Sequence, residues 1–105
     1  MFKRQNRFLF QDRLPKYSIS SPFFVLRYEK NGDKDFQVAV VASKKIDKRA
    51  IKRNQAKRKV LHILHEQANL PHLKLVFYLK KSILSARVED LKSEIERVFQ
   101  EANSI

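Results

Sequence analysis

Nine of the sixteen residues from Lys44 to Lys59 are lysine or arginine, and the stretch holds a single acid, Asp47. Its net charge of +8 makes up most of the chain's +12. Cations this dense stay at the surface, so any core must be assembled from the flanking segments and has to stop where the charges begin. A smaller excess lies in the first sixteen residues, where Lys3, Arg4, Arg7, Arg13 and Lys16 face only Asp12, and the remaining acids and bases cancel. A net charge needed only for solubility would be spread over the surface. Gathered into two blocks, it is the footprint of a polyanion-binding face.

The chain is long enough for one core and not for two, so residues 1–105 read as a single domain. Hydrophobic residues at 43%, eight of them Phe, are sufficient for a packed fold. The absence of cysteine excludes disulfides and thiolate metal sites and agrees with a reducing, cytoplasmic location. No apolar run approaches the roughly 20 residues of a membrane helix, and MFKRQNRFLF lacks the apolar centre of a signal peptide. A soluble protein retained in the cell, with no membrane partner, is expected. Gly32 is the one glycine. Phosphate-cradling and dinucleotide loops need several, so those nucleotide-enzyme classes are excluded and any phosphate must be bound by side chains.

PFFVLRYEK, from Pro22 to Lys30, has the composition of a strand, and Asn31-Gly32 after it is a strong turn signal. FQVAVVAS, from Phe36 to Ser43, is also strand-like, and the spacing predicts an antiparallel hairpin between the two. Alternation puts Phe24, Leu26 and Tyr28 on one face, with Phe23, Val25 and Arg27 on the other. Phe23 and Arg27 are thus either ligand-facing or part of an ordinary second layer. Beyond the basic stretch, Ala56, Val60, Ile63, Leu64 and Gln67 fall in one helical sector about 100° wide, while Arg49 and Arg53 continue the same line backwards. Core packing therefore ends near Ala56. The helix start overhangs the core, or begins as an irregular turn, with its free N–H groups among cations.

Pro71 closes the helical region, and LKLVFYL from Leu73 to Leu79 reads as an internal strand, apolar on both faces. A last helix is expected from near Ser85. Val88, Leu91, Ile95, Val98, Phe99 and Ala102 form its apolar stripe, opposite Glu89, Asp90, Glu94, Glu96 and Glu101. The order predicts an α+β sheet with helices on one face, and a strand–helix–strand crossover of this kind is generically right-handed.

Hydrolytic chemistry finds little support. His62 and His65 project to different sides of the helical stripe, His72 stands apart, and Asp90 with Glu94 reads as a solvated helix face rather than a catalytic pair. The basic stretch is more specific, because it joins charge density, a helix start and the amides Asn54-Gln55 between Arg53 and Lys57-Arg58. Cations hold phosphates, and amides can read base edges or 2′-hydroxyls. A membrane surface would require bulky apolar residues among the bases, and only Ile46 and Ile51 are present.

At Ser43-Lys44-Lys45, followed by Lys52-Arg53-Asn54-Gln55-Ala56-Lys57-Arg58, the chain closely resembles the protein subunit of bacterial ribonuclease P. That family carries S-K-K at a strand end and then R-N-R-x-K-R leading into a long helix. SSPFFVLRY, LKLVFYLKK and the closing helix extend the resemblance over almost the whole chain. Two positions depart from the pattern. Gln55 replaces the second arginine of the signature and removes one charge-assisted phosphate contact, and where relatives have two phenylalanines about four apart before a glycine, Arg7-Phe8-Leu9-Phe10 is followed here by Pro15, with no glycine.

The resemblance implies a mixed four-stranded sheet covered by helices, with a left-handed crossover. It also implies a role in tRNA processing: the protein binds ribonuclease P RNA, and that RNA, with Mg²⁺ held mainly by the RNA and none by the protein alone, removes the 5′ leader of precursor tRNA. Lys44, Lys45, Lys48, Arg49, Lys52, Arg53, Asn54, Lys57 and Arg58 would bind the RNA subunit. Phe8, Phe10, Phe23, Phe24 and Arg27 would hold the single-stranded leader. No catalytic residue is expected from the protein. The alternative is a structural RNA-binding protein, ribosomal or an RNA-assembly factor, without a part in cleavage.

Overall fold

A computed structural model describes residues 15–30, 37–66 and 73–103. The elements are β1 (Tyr17–Ser20), β2 (Phe24–Lys30), β3 (Gln37–Val41), α1 (Ala50–Glu66), β4 (Leu73–Leu79), a 3-10 turn (Lys81–Ser85) and α2 (Val88–Asn103). The four strands form one mixed sheet in the order β1-β2-β4-β3. β2 pairs antiparallel with β1 and with β4, while β3 pairs parallel with β4. The α+β class and the mixed four-stranded sheet are as expected.

The hairpin expected between β2 and β3 does not form, because β4 lies between them. Leu73, Leu75, Phe77 and Leu79 are buried on one face of β4 and Val76 on the other, so this strand gains most from a central position. A turn signal fixes only local chain direction, and Asn31, Gly32 and Phe36 lie outside the described residues. The gap between β2 and β3 is filled by a strand made much later in the chain.

Alternation along β2 follows the expected pattern. Phe24, Leu26 and Tyr28 are buried and Val25 and Arg27 are half-buried on the opposite face. The buried set joins Val38, the apolar face of β4, Ala56, Val60, Ile63 and Leu64 of α1, and Leu91, Ile95, Val98, Phe99 and Ala102 of α2 in a single core. Phe77 sits at its centre, with edge-on contacts to Phe24 (ring centroids 5.2 Å apart) and Phe99 (6.4 Å). Burying each such side chain stabilises by about 1.5–3 kcal/mol relative to leaving it exposed. Val88 is a departure: the 3-10 turn takes up Lys81–Ser85, α2 starts three residues later than expected, and Val88 in its first turn is 54% exposed.

Hydrogen bonds tie the β1–β2 turn to α2 and to the end of β4. Ser21 Oγ donates to Glu94 (3.1 Å), and Arg97 donates to both Glu94 oxygens (3.0 and 3.2 Å), to Glu101 (2.6 Å) and to the Ser20 carbonyl (3.2 Å). Lys80 Nζ reaches the Ser21 carbonyl (2.6 Å), and Ser82 Oγ the Pro22 carbonyl (2.6 Å). Glu94 is therefore a structural clasp rather than part of a solvated face. Its hydrogen bonds from Arg97, and the smaller one from Ser21, hold its carboxyl below the usual range despite partial burial.

Candidate nucleic-acid interface

The chain leaves β3 at Val41 and turns sharply before α1. Ile46 N–H donates to the Ser43 carbonyl (3.1 Å), and the Ile46 side chain is buried in the core. This one apolar anchor pins the loop and leaves Lys44 and Lys45 exposed beside it. Ile51, the other apolar residue of the stretch, is 65% exposed.

Asp47 organises the entry into the helix. One carboxylate oxygen accepts from the Arg49 backbone N–H (2.8 Å) and Nε (3.1 Å), and the other accepts from the Arg49 guanidinium (2.9 Å). An Asp side chain bonded to the N–H two residues on is a turn-forming contact. The Arg49 side chain is the main reason that the Asp47 carboxyl is lowered to about 2, with the backbone bond adding to it. Arg53, one turn into α1, donates from one terminal nitrogen to the Asp47 and Lys48 carbonyls (3.1 and 3.0 Å). The first turn of α1 contains no acid, so its dipole end remains positive.

Nine residues of this stretch are expected to contact RNA, and the structure divides them. Arg49 and Arg53 lie where the helical stripe runs back over the loop, and they hold the loop in place. The side chains of Lys44, Lys45, Lys48, Lys52, Asn54, Lys57 and Arg58 form no hydrogen bond or ion pair among the described residues. Asn54, Lys57 and Arg58, three and four residues apart, share one flank of α1. Lys52, Gln55 and Lys59 share the other, which faces the 3-10 turn.

Along that second flank lies a cleft of about 250 Å³, lined by Asp47, Arg49, Lys52, Gln55, Ala56, Lys59, Ile83 and Leu84. Lys59 Nζ donates across its end to the Ala86 carbonyl (2.5 Å). Gln55, Lys59 and Leu84 are not among the expected site residues. The spacing of Lys52, Gln55 and Lys59 does carry a signal, since it sets three polar side chains on one flank, but nothing in KSILS announces the turn that closes the cleft.

The five aromatic and arginine positions expected to hold a single strand fare differently. Phe24 is 0% exposed and packed edge-on against Phe77, so no face of its ring is left for a base to stack on. Phe23 sits in the turn before β2, partly buried against the core. Arg27 is on the sheet face opposite the two helices, where its Nε donates to the Pro15 carbonyl (3.0 Å). Phe8 and Phe10 lie outside the described residues. Tyr78 lies on the same face as Arg27, paired in register with Val25 and half-buried. Apolar continuity marks it only as part of a buried strand, whereas alternation from Phe77 places it on this face.

Among the described residues no three His, Cys, Asp or Glu side chains come together as metal ligands. His62 pairs with Glu66 one helical turn on (3.1 Å), and His72 lies outside the described residues.

A model of the Ribonuclease P family matches residues 2–103 of the chain. The chain is similar to the ribonuclease P protein component of a Nitratiruptor species, 40% identical over 82 residues, which is 76% of this chain and 72% of that protein. It is also similar to the ribonuclease P protein component of a Synechococcus species, 36% identical over 69 residues, covering 64% of this chain and 52% of that one. The fold is shared with the RNase P protein from Thermotoga maritima, with a TM-score of 0.71 at 19% identity, over 81% of this chain and 82% of that chain.

Proposed function

The chain belongs to the ribonuclease P family, and from that premise we propose that it is the protein component of an endoribonuclease whose catalyst is RNA and whose substrate is precursor tRNA. The observation that carries this reading is the corner between β3 and α1. There seven polar side chains, six of them cationic, form no hydrogen bond or ion pair among the described residues, while Asp47, Arg49, Arg53 and Ile46 fix the backbone that presents them.

Phosphates attract the cations at long range and release condensed counterions when they are bound. Because the loop is ordered by its own hydrogen bonds, less conformational entropy is lost when the RNA arrives. Lys44, Lys45, Lys48, Lys52, Lys57 and Arg58 contact phosphates of the RNA subunit, and Asn54 reaches a base edge or a 2′-hydroxyl. Arg49 and Arg53 serve the same surface indirectly, by holding the loop. On the sheet face opposite the helices, Arg27 and Tyr78 offer a cation and a ring to a single-stranded leader, with Phe23 at its margin.

The chain supplies binding and no catalytic group. Its own described residues do not fit a magnesium site, since their acids are dispersed or committed to Arg49 and Arg97. Mg²⁺, which supplies the electrophilic chemistry of phosphodiester cleavage, is held by the RNA. Work in the cytoplasm agrees with this role, and no helix among the described residues is long and apolar enough to cross a membrane.

The test is cleavage of precursor tRNA by the cognate ribonuclease P RNA at low Mg²⁺, with and without the purified protein. Addition of the protein is expected to raise the rate of 5′ leader removal. Binding to ribosomal RNA without stimulation of cleavage would instead identify a structural RNA-binding protein.

A further inference from the structure

We propose that a second cleft, between the β1–β2 edge of the sheet and the end of α2, binds a small ligand that joins an aromatic ring to an anionic group, as a nucleoside monophosphate does. Such a site needs no RNA, and so it stands apart from the function proposed above.

Tyr17 of β1 pairs with Tyr28 of β2, and Lys30 at the end of β2 pairs with Leu73 at the start of β4. With Ala102 of α2 they border a cleft of about 540 Å³, inside the roughly 300–1,000 Å³ range of small-molecule sites. The basic corner follows Val41, which pairs with Tyr78 near the other end of β4, on the far edge of the sheet. A small ligand in the cleft therefore lies away from the cations of that corner.

The walls carry the chemistry of such a ligand. Tyr28 is only 7% exposed, yet its hydroxyl forms no hydrogen bond among the described residues, and the residue borders the cleft. A phenol this buried ordinarily has a partner. Burial first, then Glu101 and Tyr17, push its titration upward, so the hydroxyl keeps its proton and can donate to an anion. Tyr17 stacks on Tyr28 with ring centroids 5.6 Å apart and is itself 41% exposed, which leaves ring surface open to a further ring. Lys16 holds its ammonium 5.6 Å from the Tyr17 centroid, and the exposed Lys30 side chain forms no hydrogen bond or ion pair among the described residues. Leu73 and Ala102, both buried, add an apolar floor. The nearby acids do not cancel the two ammoniums: alternation along β2 assigns the Glu29 side chain to the face of Val25 and Arg27, and Glu101 is bonded to Arg97 (2.6 Å). An uncharged ring would leave the lysines unused, and a bare phosphate would leave Tyr17 and the floor unused. A ligand with both groups engages the whole wall.

The test titrates the full chain with AMP, adenosine and ribose 5-phosphate, reading affinity by calorimetry and the Tyr17 and Tyr28 ring resonances by NMR. AMP is expected to shift both rings and to bind at least about fivefold more tightly than either fragment. Tyr28→Phe, which removes the hydroxyl and keeps the ring in the core, should weaken AMP binding by about two- to tenfold without lowering thermal stability. Tyr17→Ala should weaken it at least about fivefold, and Lys16→Ala combined with Lys30→Ala should flatten its salt dependence. Lys57→Ala combined with Arg58→Ala should leave AMP affinity within about twofold of wild type. No binding of AMP, an affinity no better than that of ribose 5-phosphate, one unmoved by Tyr28→Phe, or one lost with Lys57 and Arg58 would each overturn the assignment. A 5′-phosphorylated pentanucleotide beginning with adenosine distinguishes the sources. If it shifts the two rings at lower concentration than AMP, the ligand is the end of a strand; if AMP does so, the ligand is a free mononucleotide, and either result supports the site. Cleavage stimulation is read separately. Stimulation without AMP binding overturns this inference alone, whereas AMP binding that follows Tyr28, without stimulation, supports the cleft and overturns the proposed function.

Discussion

The two helices pack on the same face of the sheet through similar apolar stripes, yet they carry opposite charge. Helix α1 has five bases to one acid, and its first turn holds no acid. Helix α2 has five acids to two bases, with Glu89 and Asp90 in its first turn, where they complement the dipole. In α2 three of the seven charges are held inside the molecule: Glu94, Arg97 and Glu101 bond with one another and with the β1–β2 turn. In α1 and the loop before it, the lysines and arginines with side-chain hydrogen bonds among the described residues are Arg49, Arg53 and Lys59, and the other lysines and arginines are left for another molecule. Net charge alone does not distinguish the two cases. The distinction lies in which charges already have partners.

Several substitutions would break or sharpen that contrast. The largest effect is expected from replacing Lys52, Lys57 and Arg58 together by Ala, which should flatten the log–log salt dependence of RNA binding by about two to three units while leaving thermal stability near that of wild type. A slope that did not change would remove all three from the interface. Glu94→Ala should show the reverse pattern. It should cost about 1–3 kcal/mol in urea denaturation, because Ser21 and Arg97 lose their acceptor, and leave the salt slope unaltered.

Arg53→Ala lies between these. It should weaken RNA binding and speed amide hydrogen exchange in the Ser43–Arg49 loop, yet change the salt slope by less than Arg58→Ala, whose expected change is about 0.7–0.9. Equal slope changes would show that Arg53 meets a phosphate itself. The smallest effect concerns acid. Asp47, at about 2 in the folded chain, lies below its unfolded value of about 3.9, so what it contributes to stability is complete above the unfolded value and is lost as pH falls through 4 toward 2. Asp47→Asn should therefore lose less stability than wild type between pH 5 and 2, and Glu94 works in the same direction from the other helix.

Much of this fold can be read from local pattern. The stripe Ala56, Val60, Ile63 and Leu64, the point where it stops, and the interior place of LKLVFYL all follow from periodicity and apolar continuity. Pairing does not follow in the same way. Asn31-Gly32 argues for a hairpin, but strand order is decided by which strand gains most from the centre, and that competition involves residues far apart in the chain. The site shows the same division. A cation can be recognised from sequence, but whether it faces a carboxylate, a carbonyl or solvent depends on tertiary geometry, as Arg49, Arg53 and Lys52 show. Phe24 fails as a stacking candidate for a related reason: an aromatic residue in a strand serves the core on one face and a ligand on the other, and here it faces Phe77.

The central place of β4 also bears on how the protein is made. Strands β2 and β3 leave the ribosome before β4, and neither can gain its β4 partner until residue 79 has been synthesised and α1 has brought the chain back. Until then Phe24, Leu26, Tyr28 and Val38 have no core to enter, and the sheet must wait for contacts of high sequence separation. The nascent chain thus exposes its future interior beside its most cationic segment, where charge repulsion between chains opposes their aggregation.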